Sequence, residues 1–284
     1  MTKLIKTLTK NKENFSNLNH CDLSIQLSLD GFSFCITKQL SHEIIFLEQH
    51  KFDQKPSNPF EHLTFTENLI QSIEILQQSF NAVKVCHSNN LASLVPLSIF
   101  DSEQLSNYLN FNIRVLADDF ITYDQITHTD IVNVYVPFVN FNNFILEKYG
   151  SFEYKHTASI FIQSILKHAK NTSNNQVYVA LEHGAMEIIV LKNNKLQLYN
   201  SFTITCKEDF IYYILFTTEQ LQLNPEIFEL ILMGTITEKD AYFKLCKTYV
   251  RQVKLIDLSN VTQPLLDTTS KQANFNLIHL HECV

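Results

Sequence analysis

Glycine is nearly missing from this chain, with 4 residues in 284. So few leave no room for glycine-rich phosphate loops, and no GxxxxGKS/T stretch occurs. HExxH and GxSxG are absent too, which removes the commonest metalloprotease and hydrolase signatures. Tryptophan is absent, so 22 Phe and 11 Tyr carry the aromatic packing. The 6 cysteines form no CxxC pair and mostly sit in apolar runs, as expected of reduced thiols in a cytoplasm. No run approaches ~18–20 uninterrupted apolar residues, so no membrane span is expected. A net charge of −7 without a dense Lys/Arg run disfavours nucleic acid as the main partner. The opening MTKLIKTLTKNKENFSN is basic and polar and lacks the apolar centre of a secretory signal; residues 1–19 read as a flexible leader.

Three of the glycines stand at the ends of strand-like runs: Gly31, Gly184 and Gly234. Gly31 and Gly184 occupy matching places in two similar stretches about half the chain apart, each a run, a turn, a second run, a polar turn and a third run. A unit repeated at half-length predicts two like domains, 20–150 and 151–284, with a ligand cleft between them.

Leu23, Ile25, Leu27 and Leu29 alternate with polar residues, the period of a strand with one buried face. Asp30-Gly31 predicts a hairpin in which glycine takes positive φ, and Ile44–Leu47 a third strand. Thr64-x-x-Glu67 predicts a capped helix start, Asp101-x-x-Gln104 another. Strands are expected at Ala82–Cys86, Ile113–Leu116 and Ile131–Val136, and a helix from Asn140 to Tyr149 stopped by Gly150. The second half predicts a helix over Thr157–Ala169, a meander over Gln176–Thr205 turning at Asn193-Asn194, and a helix over Lys207–Gln220. A strand over Glu229–Met233 ending at Gly234, a helix capped by Thr237-x-x-Asp240, a last central strand over Val253–Leu258 and a C-terminal strand complete it. A meander followed by alternating helices and strands, done twice, implies a mixed sheet with flanking helices in each half.

That order resembles the duplicated ribonuclease-H-like fold of the actin-like ATPase superfamily, an α/β fold. It is similar in particular to the DUF3822 family of uncharacterised bacterial proteins. The likeness is carried by the Asp30-Gly31 meander turn, Leu94-Val95-Pro96 leading to Phe100, the strand ending at Gly234, and the tail from Leu280 to Cys283. It covers nearly the whole chain. The resemblance implies a nucleotide cleft built from Asp30, Gly31, Glu182, Gly184, Gly234 and Thr235. Active members place Asp-x-Gly and small residues at each first turn, so that backbone N–H groups cradle phosphate. Here Leu29 stands two before Gly31, Asp30 is offset to the opposite strand face, Phe32 and Met186 replace small residues, and the adenosine-side turn has one glycine, Gly234. The cleft therefore reads as vestigial, that of a pseudo-ATPase.

His279, His281 and Cys283 would share one face of a strand, but no distant Cys/His pair completes a metal set. The aromatic tract from Pro137 to Tyr154 reads as core packing, with a partner interface as the alternative. The sequence thus points to a cytoplasmic, non-catalytic binding or scaffold module with no catalytic residue, cofactor or metal. Its expected partner is another protein or a second copy, with nucleotide disfavoured. The alternative is a nucleotide-binding ATPase or kinase using Glu182, Gly184 and Gly234.

Overall fold

Strict alternation from Leu23 onward builds a strand whose apolar face enters a core, and the chain reverses at Leu29–Asp30. The computed structural model describes residues 2–9, 17–116, 118–169, 175–182, 184–259, 261 and 263–283. The chain forms two units. Unit 1 contains Met1–Phe161, Gln263–Leu265 and Asn276–Val284, and unit 2 contains Ile162–Thr262 and Leu266–Phe275.

Unit 1 holds β1 (Thr2–Thr9), β2 (Cys21–Ser28), β3 (Gly31–Lys38), β4 (Ile44–Phe52), α1 (Pro59–Ser72), β5 (Ala82–Ser88) and β6 (Ala92–Pro96). It continues with α2 (Leu105–Leu109), β7 (Thr122–Gln125), β8 (Ile131–Tyr135), α3 (Val139–Tyr149), β9 (Glu153–His156) and the start of α4 (Thr157–His168). A six-stranded sheet runs in the order β1-β4-β3-β2-β5-β9. β2, β3 and β4 form an antiparallel meander, while β5 and β9 add in parallel beyond β2. A small antiparallel sheet orders β6-β8-β7. Leu23, Ile25 and Leu27 of β2 and Phe32, Phe34 and Ile36 of β3 share a core with Leu69, Ile70, Phe141 and Ile145 of α1 and α3. Each such side chain contributes roughly 1.5–3 kcal/mol by leaving water.

Unit 2 holds β10 (Gln176–Glu182), β11 (Ala185–Lys192), β12 (Lys195–Thr203), α5 (Lys207–Gln220), β13 (Glu229–Gly234), α6 (Ala241–Tyr249), β14 (Gln252–Leu255) and α7 (Thr268–Ala273). Its sheet runs β12-β11-β10-β13-β14, with the meander antiparallel and β13 and β14 parallel. This is the order and polarity of β4-β3-β2-β5-β9, so the duplication is present in the strand topology. Asn193 and Asn194 both take positive φ (51° and 60°), matching the twist of the hairpin they join.

Several local expectations are corrected. Thr64 does not start a helix: α1 begins at Pro59, where Asn58 Oδ1 accepts from Glu61 N at 2.9 Å, and Thr64 Oγ1 donates within the helix to Phe60 O. Residues 113–116 form no strand; Ile113 N closes on Leu109 O at the end of α2. β14 is an edge strand, not a central one. The C-terminal strand is instead a helix, Phe275–Cys283, whose Leu280 and Cys283 cluster with Cys86 and Ile160 in unit 1. On that helix His279 and His281 no longer share a face, and no metal-binding cluster occurs among the described residues. Thr2–Thr9, in the segment read as a leader, pairs with β4; residues 10–16 lie outside the described residues.

Candidate functional site

In each unit the sheet topology brings the first meander turn and the end of the parallel strand beside it together at one end of the interior strands. In unit 1 Ser28 pairs with Gly31, leaving Leu29 and Asp30 as the turn. Ser28 Oγ donates to Asp30 Oδ1 at 2.9 Å, and Asp30 O accepts from Phe52 N at 2.9 Å. Gly31 does not take the positive φ expected of it. It is required by space instead, since an added Cβ would stand 2.7 Å from His50 O on β4. Phe32, one residue on, lies in the unit's core.

In unit 2 Glu182 pairs with Ala185. The partner of Gly31 in the duplicated register is therefore Ala185, and that of Gly184 is Asp30. The two glycines are offset by one position rather than matched, whereas Phe32 and Met186 do correspond, facing Leu27 and Leu181. Gly184 has φ 81°, and its carbonyl accepts from Ile204 N at 2.7 Å. His183 lies outside the described residues. Glu182 is half-buried at the end of β10. Gly234, φ 84°, ends β13 so close to β10 that an added Cβ would meet Leu181 O at 2.3 Å. Thr235 N and Oγ1 both donate to that same carbonyl, each at 3.0 Å. Unit 2 thus gathers Glu182, Gly184, Gly234 and Thr235 at the C-terminal ends of the interior strands β10 and β13, and unit 1 places Asp30 and Gly31 at the corresponding end of β2.

Sequence reasoning missed a cavity of about 510 Å³ wholly inside unit 1. It is lined by the β2–β3 turn at Leu29, the start of α1 with Asn58 and His62, residues 118–120, and the segment from Val136 into α3. His62 Nε2 donates to Ser28 O at 2.9 Å, and burial holds its pKa below the ordinary value. The partial signal was the aromatic tract from Pro137, since Phe138 and Phe141 both line the cavity.

A buried polar network also lies in unit 1. Tyr135 OH donates to Asp124 Oδ1 at 3.1 Å, and His156 N donates to Asp124 Oδ2 at 2.9 Å. Burial raises the Asp124 carboxyl and, with the charge of Asp124, holds the Tyr135 phenol far above its usual range. His156 Nδ1 accepts from Ala158 N at 3.1 Å, which leaves the proton on Nε2, donated to Asn89 O at 3.0 Å. Burial pushes this imidazole down to about 4. His87 Nδ1 accepts from Phe138 N at 3.4 Å, and burial, then nearby His156, push it to about 3. His156 is neutral and engaged at both ring nitrogens, so it offers no free base, whereas His87 is engaged at Nδ1 and its buried Nε2 has no hydrogen-bond partner among the described residues.

Comparison with known proteins agrees with the topology. A Bacteroides thetaiotaomicron VPI-5482 protein with actin-like ATPase fold and unknown function is similar at 22% identity and a TM-score of 0.79, covering 94% of this chain and 99% of that one. The PilM-PilN type IV pilus biogenesis complex contains a chain similar at 10% identity and a TM-score of 0.61, covering 93% and 98%. No curated protein matches the sequence. The fold is the duplicated ribonuclease-H-like, actin-like ATPase fold. The family model described as protein of unknown function DUF3822 matches residues 10–253, and the chain belongs to that family.

Proposed function

We propose that the chain is a non-catalytic binding or scaffold module of the actin-like ATPase fold, working in the cytoplasm. The observation that carries this reading is the use made of Gly234 and Thr235. The glycine is demanded by the approach of β13 to Leu181, and the threonine directs both its N–H and its hydroxyl at the Leu181 carbonyl. Backbone donors turned onto a strand carbonyl are not free to cradle an anion. In unit 1 the carboxylate of Asp30 accepts from Ser28, and no acid precedes Gly31 by two residues. A protein partner, or a second copy of the chain, suits a fold whose PilM-like neighbour is seen in a complex with PilN. The cysteines of the described residues are all free thiols, five of them buried, which suits a reducing compartment. No helix of the described residues is long and apolar enough to cross a membrane.

Thermal denaturation with MgATP and MgADP tests the reading. The expected result is an unchanged Tm and no phosphate release. A rise of several degrees that Glu182→Ala abolishes would overturn the reading, and phosphate release alongside that rise would establish the ATPase alternative.

A further inference from the structure

We propose that the cavity of unit 1 docks an extended peptide segment of a partner protein, one that carries apolar side chains beside a lysine or arginine. The inference rests on the binding-module reading and gives it a site and a partner chemistry. At about 510 Å³ the cavity falls in the ~300–1,000 Å³ range of ligand sites. Three kinds of surface meet in it.

The first is apolar. Leu63, Val136 and Phe138 line the cavity, and Leu29 and Phe120 line it while remaining 51% and 53% exposed. Two large apolar side chains left in water at one opening mark a surface that gains by being covered.

The second is charge. Asp118 and Asp119 are the carboxylates among the described lining residues, and no lysine or arginine stands with them. Asp119 Oδ2 accepts from Leu116 N at 2.8 Å, while Asp118 is exposed. Phosphate, a nucleotide or a free carboxylate would meet two negative groups without a counter-cation, whereas a basic side chain would be attracted. The remaining titratable lining group, His62, has its pKa held below the ordinary value and supplies no positive charge at neutral pH.

The third is a set of main-chain donors. The start of α3 lines the cavity, and its N-cap residue, Phe138, offers no side-chain acceptor to the first-turn amides. α1 differs: Asn58 caps Glu61 N, and the Glu61 carboxylate accepts from Ser57 N and Oγ. The α3 amides suit the carbonyls of an extended chain. A free aliphatic amine would satisfy Asp118 but bring no carbonyls; a neutral apolar ligand would bring no positive charge to either aspartate. A peptide supplies all three complements.

The test uses the full chain. A random dodecamer peptide library is selected on the immobilised protein, and a fluorescein-labelled synthetic copy of the strongest peptide is titrated by anisotropy. The expected selection places lysine or arginine among leucine-like residues. Leu29→Asp and Phe120→Ser, both at half-exposed positions, should each weaken binding at least about tenfold with unchanged Tm. Asp118→Lys should abolish the preference for basic peptides. Enrichment of acidic peptides, or equal binding to wild type and all three variants, overturns the assignment of the cavity while leaving a binding module in place. Failure to enrich any peptide overturns the peptide proposal. Stabilisation by MgATP in the same preparation overturns the module reading itself.

Discussion

Acid should destabilise unit 1 through two histidines that the fold keeps neutral. His156 accepts from Ala158 N at Nδ1, and His87 accepts from Phe138 N at Nδ1. A second proton on either ring would point at an N–H donor in a buried setting. Their folded pKa values are pushed down to about 4 and about 3, from 6.5 in the unfolded chain. A depressed histidine contributes stability that is complete above pH 6.5 and is lost as pH falls toward the folded value, because the unfolded state takes up the proton first. At pH 5.5, one unit below the unfolded pKa, each ring costs about 1.4 kcal/mol, and the pair about 3 kcal/mol. Against a typical domain stability of ~5–15 kcal/mol that is a large fraction.

Other groups modify the slope. His62 and His281, also lowered by burial, act in the same direction. Asp124, whose carboxyl is raised by burial, acts in the opposite one, since protonating it in the folded state relieves its penalty. The assay is urea denaturation followed by circular dichroism at pH 7.5, 6.5 and 5.5, on wild type and His156→Gln. Glutamine can still accept from Ala158 N and donate to Asn89 O but does not titrate. The variant should show a pH slope shallower by about half the histidine contribution, roughly 1.4 kcal/mol between pH 7.5 and 5.5. Equal slopes in the two proteins would refute the reasoning, whatever the variant's absolute stability.

The glycines separate two kinds of requirement. Gly234→Ala combines φ 84° with a Cβ 2.3 Å from Leu181 O, and should cost at least about 2 kcal/mol in thermal unfolding. Gly150→Ala has a similar φ, 82°, but nothing within 4 Å of the new Cβ, and should cost only about 1 kcal/mol. Thiol reactivity should be dominated by one residue. Cys206 is exposed, whereas burial pushes Cys35 and Cys246 up to about 12, so a thiol reagent on the native protein should label Cys206 alone in its fast phase. Rapid modification of two or more sites would show that a core opens.

The strands were legible because alternation at period two survives wherever a sheet has a core face and a lighter one. β2, β3 and the whole unit 2 meander fall where that pattern put them. The start of α1 was legible in principle: Asn58-Pro59-Phe60-Glu61 carries an N-cap, a proline at the first helical position and an acid at the third, a fuller signal than Thr64-x-x-Glu67. The C-terminal helix was not legible for a physical reason. From Phe275 to Leu280 every side chain is buried, including Asn276 and His279, so no polar face exists to mark a helical period. The cavity was hidden differently, since its walls come from five separated segments and only the aromatic tract hinted at one of them.

Gly31 and Gly184 look equivalent because each follows an apolar run, yet strand pairing aligns Gly31 with Ala185 and Asp30 with Gly184. Glycine at a strand end answers two separate demands. One is positive φ, as at Gly184, and the other is room for a neighbouring strand, as at Gly31 beside His50 O. Sequence shows the residue and not the demand. A position needed for strand approach cannot change without cost to the sheet, as the Cβ contact of 2.7 Å at Gly31 shows. The acids carry no such constraint: Ser28 stands in unit 1 where Glu182 stands in unit 2, and both sheets close equally well. The glycines therefore report the fold's architecture, whereas the residue at the end of the first meander strand differs between the two units without cost to the sheet.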